Sequence, residues 1–144
     1  MIASVRTLTG RQLRDEYVAR YGSPDELRRL ARRRPKGPHI EALVWIETCE
    51  ENPEFLDREV QHRVVHELEA EELDGLTGTR VRLWTLIEKA GETDLKGLRE
   101  ATDRDHKSIS RDVNFLEAIG LVESRREGRH RIVRSLADRV EITV

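Results

Sequence analysis

"RDHKSISRDVNFLEAIG", Arg104–Gly120, runs directly into "LVESRREGRHRIVR", Leu121–Arg134, and this pair of segments decides the fold. On a wheel of 100° per residue, Ile109, Val113 and Leu116 fall within about 60° of one another, a stripe suited to packing on a core. Lys107, Ser110, Arg111 and Asn114 fall within about 100° on the opposite side. All four side chains donate hydrogen bonds, and two of them carry positive charge. The spacing predicts a helix capped by Asp105 and ended at Gly120. Beyond it, "LVESR" and "HRIVR" read as strands joined by "REG", with Gly128 supplying the turn.

Upstream, Thr77 can cap a helix carrying Val81, Leu83, Trp84, Leu86, Ile87 and Ala90, closed by Gly91. Asp94 can cap a second, shorter helix with Leu95, Leu98 and Ala101 inward, followed by the polar turn "TDRD". Helix, short helix, turn and donor-faced helix is the helix-turn-helix order, with the third helix as reader. Arginine can take guanine bidentately, asparagine can take adenine, and serine can serve either. The reader candidates are His106, Lys107, Ser108, Ser110, Arg111 and Asn114. The hairpin would project as a wing, with Arg125, Arg126, Arg129, His130 and Arg131 placed for phosphate contact or minor-groove insertion. Each set has a plainer rival, a solvated helix face and a solvated hairpin.

"TDLKGLREATDRDHKSISRDVNFLEAIGLVESRREGRHRIV" resembles the winged helix-turn-helix of prokaryotic transcription regulators of the MarR and ArsR type. The carrying residues are "KSISRDVNFLEAIGLVE" and the glycine-tipped wing after it. More narrowly, the "SRDVxxLEAxGLVE" reader followed by "VEITV" resembles a prokaryotic family of proteins assigned to DNA binding, some of whose members are antitoxins. The resemblance spans roughly Leu68 to Val144 and implies a winged-helix fold and binding to double-stranded DNA. It does not extend to the first 60 or so residues, and the metal-site cysteines of ArsR proteins are missing.

The N-terminal part reads as a series of short helices. Ser23-Pro24-Asp25-Glu26 is a capping box with proline at the first helical position. Pro35, Gly37 and Pro38 stop that helix and form a candidate linker. "HIEALVWIETCE" is apolar nearly all round and reads as a buried or interface-forming helix. Phe55, Leu56, Val60, Val64 and Leu68 then follow one slowly drifting face, although "HRVVHEL" fits a short strand equally well. At the C-terminus "RVEITV" alternates Val140, Ile142 and Val144, a third strand. The expected fold class is therefore mainly α with a small β-hairpin or three-stranded sheet (α+β). A helical extension over residues 1–60, for dimerisation or partner binding, precedes a winged helix-turn-helix domain over 61–144.

Charge sharpens the functional reading. Residues 1–74 hold 12 Lys+Arg against 16 Asp+Glu, a net of −4, and residues 75–144 hold 14 against 12, a net of +2. Ser124–Arg134 carries five arginines against the single acid Glu127, so an anionic partner is expected at one place. "RRLARRRPK", Arg28–Lys36, is a second basic run, read as a charged helix end or a further phosphate contact. Catalysis has little support: there is no glycine-rich phosphate loop and no G-x-S-x-G elbow, and the only cysteine, Cys49, has no histidine in local register. His62 and His66 are spaced i, i+4 but lack a third ligand and the H-E-x-x-H pattern, so neither a metal nor a cofactor is expected. No apolar run suits a membrane span and no secretory leader is recognisable, which points to a cytoplasmic protein. The expected function is that of a sequence-specific regulator, most simply a repressor acting as a homodimer. The alternative is an antitoxin or adaptor that binds a protein partner, such as a toxin, through its N-terminal half and autoregulates its operon.

Overall fold

All three expected caps of the C-terminal half form in the computed structural model, which describes residues 1–144. Its elements run β1 (Ile2–Thr9), α1 (Gly10–Tyr21), α2 (Pro24–Arg33), α3 (Pro38–Glu51), a 3-10 turn at Pro53–Asp57, β2 (Glu59–Glu67), α4 (Ala70–Asp74), α5 (Gly78–Ala90), β3 (Glu92–Asp94), α6 (Leu95–Thr102), α7 (His106–Ala118), β4 (Val122–Glu127), β5 (His130–Ser135) and β6 (Arg139–Ile142). The chain divides into two compact units, one of Met1–Arg6 with Arg63–Val144 and one of Thr7–His62.

In the first unit, the side chains of Thr77, Asp94 and Asp105 accept from the backbone N–H groups of Arg80, Gly97 and Ser108 at 3.4, 2.8 and 2.7 Å. Each cap satisfies one of the amides that a helix start leaves without an intrahelical partner. The core gathers Leu83 and Ile87 of α5, Leu98 of α6, the α7 stripe Ile109, Val113 and Leu116, and Val122 and Val133 of the hairpin, all at most 2% exposed. Burying such an aliphatic side chain contributes roughly 1.5–3 kcal/mol, so this stripe is what seats α7. Ala101, expected inward, is exposed at the end of α6. The half-buried Trp84 packs on the core while its Nε1 donates to Ser135 Oγ at 3.2 Å.

The chain leaves α7 through Gly120 at φ +77°, where an added Cβ would lie 2.8 Å from both Ser4 Oγ and Val65 Cγ1. Left-handed backbone and close approach both demand glycine there. The wing sheet has the order β3-β5-β4, with Arg126 opposite Arg131 and Glu127 opposite His130 across the turn that holds Gly128 at φ +60°. Its third strand is the three-residue β3, antiparallel to β5 from Glu92↔Arg134 to Asp94↔Ile132. The helix, strand, helix, helix and hairpin order makes this an α+β winged helix-turn-helix fold.

The C-terminal strand belongs elsewhere. β6 pairs with β1, from Ile2↔Ile142 to Val5↔Arg139, in a second sheet of order β2-β1-β6. The expected alternation holds only in part, because Val140 is half-buried whereas Ile142 is 64% exposed. The N-terminal part is correspondingly less helical than expected. Ile2–Thr9 is a strand with Ala3, Ser4, Val5 and Leu8 buried, and Glu59–Glu67 takes the strand form that "HRVVHEL" fits as well as a helix. β-Branched residues at alternate positions favour a pleated surface once partner strands are present, and here those partners lie far away in sequence. The strand also takes His62 and His66 off any helical face. His62 Nδ1 lies 3.1 Å from Thr7 Oγ1, and His66 Nε2 lies 3.0 Å from Glu72.

The second unit is helical. Ser23 caps α2 as expected, accepting from Glu26 N and donating to the Glu26 carboxylate, each at 3.2 Å. Leu27, Ala42 and Ile46 form its centre, with Tyr17, Val18, Tyr21, Leu30 and Leu43 around them. Arg28 ties α2 to α3 by donating to Glu47 and Glu50, and also bonds Asp25. No helix of the chain is long and apolar enough to cross a membrane.

Candidate nucleic-acid interface

The orientation of α7 is set by a buried ion-pair cluster as well as by its apolar stripe. Asp112, 4% exposed, receives Arg80 Nε at 3.0 Å on one carboxylate oxygen and Arg104 at 2.5 Å on the other. Arg80 also donates to the Gly75 carbonyl at 2.8 Å and stacks 4.0 Å from the centre of the Phe115 ring. Burial pushes the Asp112 carboxyl up, but the hydrogen bonds from Arg104 and Arg80 outweigh it and hold the group below its ordinary range. One acidic residue of the helix is thus neutralised inside and adds no negative field to the outer face.

That outer face holds His106, Lys107, Arg111 and Asn114, all exposed, and Ser110, half-buried. Lys107 and Arg111 have no ion-pair partner. Ser108 stands apart from them. Its hydroxyl accepts from Arg104, which also binds Asp112, so it faces the buried cluster.

The wing candidates separate into bound and free groups. Arg125 donates to both oxygens of Glu92, at 2.8 and 3.1 Å, and to Glu127 at 3.0 and 3.2 Å. These bonds raise the Arg125 pKa and hold the Glu92 carboxyl down. Arg131 folds back onto α7, donating to Asn114, Glu117 and Ser124, and its side chain is only 15% exposed. His130 lies 3.4 Å from Asp94. Arg126 and Arg129, flanking the Gly128 turn, are exposed and have no ion-pair partner. Farther down the hairpin, Arg134 pairs with Glu123.

Part of this set converges. Lys96 and Arg99 of α6, His106 and Ser110 of α7, and Arg126 and Arg129 of the wing line one open cleft of about 370 Å³, together with Asp94, His130 and Arg131, whereas Lys107, Arg111 and Asn114 lie outside its lining. Sequence reasoning misses Lys96 and Arg99. Their i, i+3 spacing on a short helix is readable, but only the packing of α6 beside the wing puts them with the others. The cleft offers a cationic track beside a donor-bearing helix face, which suits an anionic backbone next to base edges. No cluster of metal-ligating side chains is present.

Residues 75–142, just under half of the chain, match the family profile described as HVO_A0114. No curated protein matches the chain. Among solved structures, the chain is similar to the homodimeric winged helix-turn-helix DNA-binding domain of Mb0332 from Mycobacterium bovis, a candidate ArsR-family transcriptional regulator. That likeness is 28% identical with a TM-score of 0.41, and it covers 46% of this chain and 61% of that one. The shared part therefore takes in less than two thirds of the mycobacterial domain.

Proposed function

We propose that the chain is a sequence-specific double-stranded DNA-binding regulator, acting as a homodimeric repressor. The observation that carries this reading is that His106 and Ser110, at the edge of the α7 donor face, line the same cleft as the cationic side chains Lys96, Arg99, Arg126 and Arg129. In it, α7 enters the major groove with Lys107, Ser110, Arg111 and Asn114 toward base edges, while the wing and α6 hold the flanking phosphates. Ser108 serves the fold rather than the bases, and Arg125 and Arg131 hold the wing in place. Two copies would place two readers about 34 Å apart, one helical turn of DNA, and so select a palindromic operator. Repression follows from occupancy of that operator. The test is in vitro selection of bound duplexes, repeated with Arg111→Ala. The variant should lose preference at one base position per half-site, costing on the order of 1–3 kcal/mol. Unchanged binding to the selected site would remove Arg111 from the reading face.

A second reading is an antitoxin or adaptor whose principal partner is a protein. It is favoured by an apolar groove of about 680 Å³ within Thr7–His62, lined by Leu13, Tyr17, Ile40, Val44 and Trp45. A stoichiometric protein that co-purifies with the full chain and is released by Val44→Glu would support it, with DNA binding then serving autoregulation.

A further inference from the structure

Arg131 belongs by position to the wing, yet its guanidinium is spent on the reading helix. Its Nη1 donates to Asn114 Oδ1 at 2.7 Å, its Nη2 to Glu117 at 2.7 Å and its Nε to Ser124 Oγ at 3.2 Å. Glu117 is fixed in turn by its other oxygen, which accepts from Ser124 N at 3.0 Å and Ser124 Oγ at 2.7 Å. We propose that Arg131 is a positioning residue that locks the side-chain amide of Asn114 and thereby sets which bases Asn114 accepts. The proposal rests on the proposed DNA-reading function and deepens it.

An exposed asparagine is ambiguous as a reader. Rotation about its last torsion exchanges a carbonyl edge for an amino edge in a broad, shallow energy profile. A guanidinium removes that freedom, because it can only donate and the amide atom facing it must be the oxygen. Flipping Asn114 would set N–H against N–H and lose a charge-assisted bond. Glu117 and Ser124 prevent Arg131 from following such a flip, since they hold it between α7 and β4. Asn114 therefore presents its Nδ2 donors at the exposed face, where nothing else bonds them. A base meeting that donor must offer an acceptor: purine N7, guanine O6 or thymine O4. Cytosine, whose major-groove edge offers a donor, is disfavoured.

The experiment is duplex selection by the full chain and by Arg131→Ala, Asn114→Ala and the double variant, with binding to the selected site titrated over several salt concentrations. Wild type should disfavour cytosine at one position of each half-site by about tenfold or more. Arg131→Ala and Asn114→Ala should lose that discrimination at the same position, and the double variant should lose no more than either single one. The salt dependence of Arg131→Ala should match wild type. A uniform loss on all duplexes with a salt slope smaller by about one unit would make Arg131 an ordinary phosphate contact and overturn the proposal. Should Arg131→Ala fail to fold, Glu117→Gln releases the guanidinium without touching the amide. Partial loss of discrimination at the Asn114 position then supports the lock, and unchanged discrimination refutes it. A wild-type protein that selects no sequence refutes the DNA-reading function itself, a different result from either.

Discussion

Asp112 is the one buried carboxylate of the chain. Its carboxylate is buried between Arg80 and Arg104, which are themselves mostly covered, at 20% and 24% side-chain exposure. Taking one member from a buried pair leaves the others without compensation, so Asp112→Ala should destabilise the protein by about 3 kcal/mol, read from urea unfolding at pH 7. The pH dependence follows from the direction of the shift. The folded carboxyl is held below its unfolded value of about 3.9, so the unfolded chain binds the proton more readily. The contribution is present at neutral pH and is lost as pH falls from about 4 through the folded value. The stability gap between wild type and variant should therefore narrow in acid, and a gap of equal size at pH 3 and pH 7 would assign the loss to packing instead. Asp112 is legible in sequence only as a residue off the donor face. Its partners come from 32 and 8 residues away, and only the packing of α5 against α7 makes them a cluster.

At the scale of elements, the hairpin behaves as two devices. Its tip, Arg126 and Arg129 around Gly128, is free to meet phosphate, whereas its stem is tied to β3 through Arg125 and to α7 through Arg131. Arg126→Ala or Arg129→Ala should weaken binding to every duplex alike and lower the salt slope by about one unit each, measured by titration over a salt series. A loss confined to one sequence would move that arginine from the backbone to the bases. Two apolar runs with a glycine between them are a local signal, which is why the hairpin can be read directly from the chain. Which arginines are free cannot. Glu92 lies 33 residues from Arg125, and a charged residue's partners depend on which strands become neighbours.

At the scale of the whole molecule, the chain joins a winged-helix unit to a helical one at boundaries that fall inside β1 and β2. Val44, on α3 of the helical unit, is 58% exposed beside Trp45 and the apolar groove. Covering such a residue with a second copy would supply the pairing of readers that a palindromic site requires. Val44→Glu should then shift the full chain from dimer to monomer in sedimentation and weaken operator binding while leaving the thermal unfolding of the winged-helix unit unchanged. A dimer that persists in the variant would place the dimer surface elsewhere.

The sequence by itself determined the helices with caps, the apolar stripe and donor face of α7, the glycine exit at Gly120 and the hairpin. Each of these is written within a few residues by capping chemistry, helical or alternating period, and the freedom of glycine at positive φ. Only the tertiary structure decided that Ile2–Thr9 would be a strand, that its partners would be β2 and β6, and that β3 would complete the wing sheet. A strand's hydrogen bonds are made to another segment, so its identity is not contained in its own residues. The same reason reshapes the candidate interface. Position along the chain groups Arg125, Arg131 and Ser108 with the free donors, whereas the fold spends them on Glu92, Asn114 and Arg104 and brings Lys96 and Arg99 into the cleft.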